Sequence, residues 1–282
     1  MLETPWRSFK TATWLGWQIE SNWTQPLLFA LYSIVKPLAV AGILVVLYGL
    51  VTGGNFSSPM FAYMYLGNAF YTYVGAVMTG MAYAAAEDRE RYQTLRSIYV
   101  APVDIRFYLA GRGVARFVTA SVTVAITIAV GIIFFHLPIR FWAVRWPLFL
   151  ITLATGVVML AMMGLMLSGF ALLLPETSWS VGEGVAGALY LFSGAIFPID
   201  VLPRVLRPIG FAMPITYWLE LLRRSLMGSA PGIETFPRLS DLDLLGILVS
   251  LTLLLSAAAL FIFHSCDNMA RERGLIDRTS GH

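Results

Sequence analysis

Leu148–Leu174 is a run of 27 consecutive residues without a charged side chain. As an α-helix rising about 1.5 Å per residue it would be about 40 Å long, against roughly 30 Å for the hydrocarbon core of a bilayer. A run of that length and character reads as a membrane-spanning helix. Similar apolar runs recur at about Leu27–Val51, Met60–Ala86, Val114–Phe135, Val181–Phe197 and Leu244–Phe263. Composition agrees: 58% of residues are hydrophobic and 12% charged, where a soluble domain has roughly 25% charged residues. The runs are continuous and lack period-two alternation, which favours helices over a barrel. The expected fold is an all-α integral membrane protein with six transmembrane helices.

The same reading excludes several functions. Net charge is only +3 and no Lys/Arg-rich run exists, so no nucleic-acid partner is expected. The single Cys266 cannot form an internal disulfide, and His136, His264 and His282 are too scattered for a metal site. There is no phosphate-cradling loop of the G-x-x-x-x-G-K type, no H-E-x-x-H, no G-x-S-x-G and no pair of carboxylates inside the spans. The chain is therefore expected to be neither an enzyme nor the holder of a metal or cofactor of its own. Its first residues, MLETPWRSFK, lack an early apolar region, so a cleavable signal peptide is not expected.

Residues 1–26 are expected to form an N-terminal interfacial helix. Trp6, Phe9, Trp14 and Trp17 share an arc of about 140°, wide enough to lie on a bilayer surface, and Lys10 in the same arc must snorkel. The first span is interrupted by Lys36-Pro37. A charge at a helix centre costs about 2.5–3.5 kcal/mol, against a gain of about 0.3–0.6 kcal/mol per Leu or Ile. Either the helix stays interfacial as far as Pro37 and Lys36 snorkels, or Lys36 faces a central pathway and attracts an anionic group. In the second span Tyr63, Tyr65, Tyr71, Tyr73 and Tyr83 either pack or line a polar path. Glu183 lies near the start of the fifth span, beside a small-residue face of Gly182, Gly184, Ala186 and Gly187.

Two segments break the pattern of plain spans. Residues 87–112 form a long charge-rich stretch between apolar runs. On a helix, Tyr92, Leu95, Ile98 and Tyr99 share about 120° of arc. Pro102 should stop that helix and Asp104 should cap the next. The segment reads either as a membrane-surface hairpin or as a docking element for a soluble partner. Residues 197–228 carry Pro198, Pro203, Pro208 and Pro214, which forbid one continuous helix. Asp200 is expected to cap a short helix with Pro203 in its first turn. Pro214–Met227 should form another, with Glu220 set to pair with Arg223 or Arg224. The result is a pair of broken, re-entrant helices before the last span. The core of the protein is then 27–266, followed by a polar tail, 267–282.

Arg and Lys set the orientation. With 87–112 inside, that side holds eleven basic residues (Arg7, Lys10, Arg89, Arg91, Arg96, Arg106, Arg112, Arg116, Arg271, Arg273 and Arg278). The other side holds seven, and the excess places both termini in the cytoplasm and the protein, multi-pass, in the plasma or inner membrane.

This order of elements resembles the permease subunit of ABC-2 type ABC transporters, over nearly the whole chain. Two stretches carry the likeness. In the first, Arg89-Glu90-Arg91, Thr94-Leu95, Ile98 and Ala101-Pro102-Val103 are similar to the family's coupling segment, with Gln93 where the family often has Gly. In the second and more specific one, Phe197-Pro198-Ile199, Leu202-Pro203, Pro214-Ile215-Thr216-Tyr217, Leu219-Glu220, Arg223 and Gly228 match its Pro-rich signature. The resemblance implies a cytoplasmic coupling helix between the second and third spans, touching an ATPase subunit through Glu90, Tyr92, Leu95, Arg96, Ile98, Tyr99 and Pro102. It implies two separate nucleotide-binding subunits, which bind the ATP and Mg. A second permease copy or a paralogue would complete a homo- or heterodimer. Lys36, Tyr71, Tyr73 and Glu183 are the candidate substrate pathway, and Phe197, Pro198, Pro214, Tyr217, Glu220 and Arg223 the candidate outer gate. The implied activity is ATP-driven export of an amphipathic drug, antibiotic, lipid or lipid-linked glycan. Glu20-Ser21-Asn22-Trp23 does not look like the basic, aromatic motif of the glycan-exporting branch, which favours small cargo. The competing reading is a membrane channel or scaffold without an ATPase partner.

Overall fold

The computed structural model describes residues 3–21, 26–174, 178–228 and 235–275. Its elements are all helical: α1 (Glu3–Ser21), α2 (Pro26–Thr52), α3 (Pro59–Tyr73), α4 (Gly80–Glu90), α5 (Leu95–Val100), α6 (Ile105–Phe135), α7 (Trp146–Leu173), α8 (Ser178–Phe192), α9 (Arg207–Ala212), α10 (Pro214–Met227) and α11 (Asp241–Glu272). A π-helical segment, Val74–Thr79, joins α3 and α4 into one rod. Among the described residues three helices, α6, α7 and α11, are long and apolar enough to cross a membrane; Leu38–Thr52 of α2 and Ser180–Phe192 of α8 are shorter apolar stretches.

Local chemistry sets several boundaries. Ser58 accepts the Met60 N–H ahead of α3, whose first residue is Pro59. Asp104 accepts the Arg106 N–H at 3.0 Å and starts α6, the role expected for it. Ser240 and Asp243 close a reciprocal capping box at the start of α11. α10 covers Pro214–Met227, as its sequence predicts, with Pro in the first turn where a missing N–H costs nothing.

Four expectations need correction. The first span is not interrupted at Lys36-Pro37, since α2 runs through both. Membrane helices tolerate proline because neighbours re-satisfy the freed backbone groups. α5 is only six residues long, and Tyr92 lies outside it. Gln93 adopts φ +52°, a left-handed conformation that no helix continues through. Asp200 caps no helix: it sits within a 3₁₀ turn, Ile199–Val201, and α9 starts later, behind Leu206. α11 continues through Asp267 to Glu272, into the expected tail.

The long helices run alternately between two ends of the bundle. At one end lie α5, the start of α6, the close of α7 and the close of α11: Arg89 reaches the carbonyls of Ala171 and Leu172, and Tyr99 reaches Asp267. α1 packs on α6 at this end, with Gly111 so close that a Cβ would meet the Phe9 carbonyl oxygen at 2.6 Å. At the other end lie the start of α3, the start of α7, α9, α10 and the start of α11. There Arg223 bonds to the Tyr63 carbonyl, Arg145 N–H to the Ser225 carbonyl, and Arg145 pairs with Asp241. Residues Ile215–Leu226 of α10 are all buried. Trp218 is fully buried against Gly156 of α7, where a Cβ would overlap the indole. α10 is thus a plug inside the bundle and not a helix lying on its surface.

Candidate functional site

A cleft of about 740 Å³ opens between α2, the α3–α4 rod, α6 and α8. Its wall is mixed. Tyr71 and Tyr190 pack ring to ring at 4.7 Å, and Tyr190 donates to Asn68 Oδ1 at 2.7 Å. Tyr71 donates to the Ala186 carbonyl, which ties α3 to α8. Further along, Tyr83 donates to Glu183 Oε1 at 2.6 Å. The π-helical segment contributes Gly75 and Thr79 to the wall, and Thr79 turns its hydroxyl back to the Gly75 carbonyl at 2.7 Å. Such π-helical turns inside α-helices are frequent at functional sites, because the extra residue re-aims the side chains of the next turn.

Arg116 lines the cleft where it approaches the α5 end, as part of an ionic cluster. It pairs with Glu20 at 3.2 Å and with Glu87 at 3.3 Å. Arg112 pairs with the same Glu87 oxygen and with Asp88 at 3.1 Å. Arg112 and Asp88 are each 2% exposed. Tyr108 donates to Asp88 Oδ2 at 2.9 Å. Burial pushes the Asp88 carboxyl above its usual range, while Arg112 and the Tyr108 hydrogen bond pull it back. One cluster therefore joins α1, α4 and α6.

Next to that cluster is the short α5. Leu95 is 1% exposed and anchors α5 to its own chain. Ile98 and Tyr99 are half-buried. Tyr99 donates to Asp267 at 2.6 Å and lies under the Arg271 guanidinium at 4.7 Å. Burial, with Asp267 beside it, holds the Tyr99 hydroxyl protonated far above the usual tyrosine range. The open face carries Arg91, Gln93, Arg96, Ser97 and Val100, and Val100 is 82% exposed. A groove of about 520 Å³ runs between this segment and α1, walled by Thr11, Leu15, Thr94, Ile98 and Pro102.

The opposite end is closed by arginines. Arg224 pairs with Glu220 at 3.1 Å and with Asp241 at 3.4 Å, and donates to the carbonyls of Phe236 and Leu239. Arg223 bonds to the carbonyls of Tyr63, Gly194 and Ala195, with its guanidinium 3.6 Å from the Tyr63 ring centroid. Of the two partners expected for Glu220, the structure selects Arg224: Arg223 points to backbone oxygens of α3 and of the turn after α8.

The family model for the ABC-2 type transporter matches residues 7–227, which include the cleft, α5 and all of α10. The chain belongs to the ABC-2 type transporter family. No curated protein matches the chain. As an ABC-2 permease it is the multi-pass membrane component of a transporter, in a family whose context includes a nucleotide-binding partner.

Within this ABC-2 chain the cleft brings together Tyr71 and Glu183 of the expected pathway residues. Tyr73 faces away: it donates to Ser121 and packs on Phe117 and Trp218. Lys36 lies on α2, one turn before the cleft residue Val40, and its side chain is outside the described residues. Of the expected gate residues, Tyr217, Glu220 and Arg223 are buried, while Phe197 and Pro198, in the connection between α8 and α9, and Pro214, the first residue of α10, are half-buried. Tyr217 stacks on Phe236 at 4.6 Å and donates to the Phe211 carbonyl, which braces α10 against α9. Glu90 pairs with Arg89, and Pro102 ends the α5 connection in the open. Sequence reasoning missed Asn68, Tyr190, Asp88 and the Arg112 and Arg116 pairings. Asn68 had a signal, being the one amide in the run Met60–Ala86.

Proposed function

We propose that this chain is the permease subunit of an ATP-driven exporter that moves an amphipathic molecule out of the cytoplasm or inner leaflet. Two permeases and two nucleotide-binding subunits make up the transporter. The α5 end faces the cytoplasm with both termini, six helical passages cross the membrane, and the α9–α10 end closes the outer side. The observation that carries this reading is the cleft: a path with polar groups and paired tyrosines, between helices whose outer faces are apolar. One end of it meets the ionic cluster that supports α5. A channel or scaffold has no need of a short segment anchored beside its pathway with an open basic face, as α5 is by Leu95.

The nucleotide-binding subunit docks on α5 and the groove between α5 and α1. Because Leu95 is spent on anchoring α5, the docking contacts come from the open face, with Arg96 and the exposed Val100 foremost. Interface residues that cost about 2 kcal/mol or more when truncated are enriched in Arg, and Val100, one turn from Arg96, adds an apolar side chain that is 82% exposed. The test separates the two roles. Val100→Asp should abolish co-purification of the ATPase subunit while the permease still inserts and elutes as a single species. Leu95→Asp should instead unseat α5 and lower the thermal stability of the permease alone. Full recovery of the partner and full ATP turnover in the Val100→Asp complex would contradict the docking assignment.

A further inference from the structure

The charges of the cleft do not cancel among the described residues. At the α5 end, Glu20 and Glu87 balance Arg116 and Arg112, even before the buried Asp88 is counted. Arg116, the only described cation in the cleft wall, is thereby held by two carboxylates. Glu183 remains. It lines the cleft, is exposed to it, and receives one hydroxyl donor, Tyr83, with no described cation paired to it. A carboxylate in a cleft between apolar helices gains most from a cation that displaces its water. The wall it shares is aromatic: Tyr83 holds the carboxylate, and the Tyr71–Tyr190 pair lines the same cleft. Aromatic faces attract cations by their quadrupole and accept apolar bodies equally well.

We propose that the cleft selects amphipathic organic cations, with the Glu183 carboxylate as the recognising charge, set in place by Tyr83, and the tyrosine pair as the seat for the apolar body. This deepens the reading of the cleft as the transport pathway and rests on it. Tyr83 fixes Glu183 from the α4 side, so the two helices α4 and α8 present one charge at a defined place. The cleft volume is within the roughly 300–1,000 Å³ of sites that enclose small ligands.

Tetraphenylphosphonium and tetraphenylborate match in shape and differ in sign, so they isolate the charge. Their binding is measured by equilibrium filtration on the purified permease in lipid nanodiscs, with empty nanodiscs subtracted. The phosphonium should bind about tenfold or more tightly than the borate, a difference of about 1.4 kcal/mol. Glu183→Gln, which keeps an acceptor for Tyr83, should remove most of that preference, and Glu183→Asp should retain it. Equal binding of the two probes, preference for the borate, or an unchanged preference in Glu183→Gln would overturn the proposal. Preference for the borate would also turn attention to a cation such as Lys36. A separate arm tests the pathway reading itself: Thr72→Cys in a Cys266→Ser background, blocked with a bulky maleimide. Loss of binding of both probes upholds the cleft as their site, so that the Glu183 variants judge the charge alone. Undiminished binding of both after the block removes the cleft as the site and the proposal with it.

Discussion

The two ends of this bundle are both held by arginines, but in different ways. At the α5 end Arg112 and Arg116 of α6 meet carboxylates from two other helices, Glu20 of α1 and Glu87 and Asp88 of α4, in pairs that share a Glu87 oxygen. Among the described residues at the α10 end, Arg223 meets three carbonyl oxygens and the Tyr63 side chain, and Arg224 divides itself between two carboxylates and two carbonyls. A shared carboxylate can pass from one arginine to another when helices shift, since either pairing satisfies it. Carbonyls of the turn after α8 and of residues 236–239 are fixed in the backbone, and an arginine bound to them stays where it is. The first arrangement suits elements that move relative to one another; the second suits a plug that stays closed. The difference matches the proposed assignment of the docking end and the outer end.

Breaking the two ends should therefore give unequal effects. The largest is expected from Arg224→Leu. It strands Glu220, which is 2% exposed, and frees the Phe236 and Leu239 carbonyls. Losing one partner of a buried pair costs roughly 3–5 kcal/mol. The midpoint of thermal unfolding, followed by fluorescence-detected size exclusion, should fall accordingly, and a mild loss would show that α10 is not held as described. A smaller effect is expected from Arg112→Leu. Asp88 keeps the Tyr108 hydroxyl and Glu87 keeps Arg116, so the loss should lie at or below the lower end of that roughly 3–5 kcal/mol range. Adding Asp88→Asn should restore part of it, because the stranded charge is gone. If the double variant is no better than the single one, the shared-carboxylate account of this end is wrong.

The smallest effect sharpens the comparison at the segment beside that cluster. Gln93 holds φ +52°, a left-handed conformation that costs a residue with a Cβ roughly 1–2 kcal/mol and glycine little. Gln93→Gly should raise the stability of the permease by up to about 1 kcal/mol, the gain being reduced by glycine's larger unfolded-state entropy. A drop in stability would mean that the Gln93 side chain contributes a contact that outweighs the strain.

Much of the fold was readable in the sequence, for physical reasons that differ by element. Asp104 caps α6 and Pro214 opens α10 because those residues act on backbone one to three positions away. The apolar runs marked the long helices because lipid-length burial leaves a composition signal. The length of α5 was hidden: a polar residue gives no sign of a positive φ. Gln93 did stand where the resemblance placed a glycine, and that substitution was the available clue. The partners of Arg223 were beyond reach, since backbone carbonyls exist at every position and only the tertiary fold brings three of them together. The cleft was half legible. Tyr71 and Glu183 belong to it, whereas Tyr73, two residues from Tyr71, points to α6 and Trp218. On a helix such a step rotates a side chain by roughly 200°, so the two tyrosines could not share a face.

The central claim is that the two ends lie on opposite sides of the membrane, the α5 end inside. Two single-cysteine proteins in a Cys266→Ser background, expressed without the nucleotide-binding subunit so that the docking face is uncovered, test it directly in intact cells. Val205→Cys lies in the turn before α9 and Val100→Cys on α5; the native side chains are 85% and 82% exposed, so both positions are open to reagent. An impermeant maleimide added outside should label Val205→Cys at once and Val100→Cys only after the membrane is opened. The reverse pattern, or labelling of both from outside, would contradict the assignment of α5 as the docking segment for the nucleotide-binding subunit.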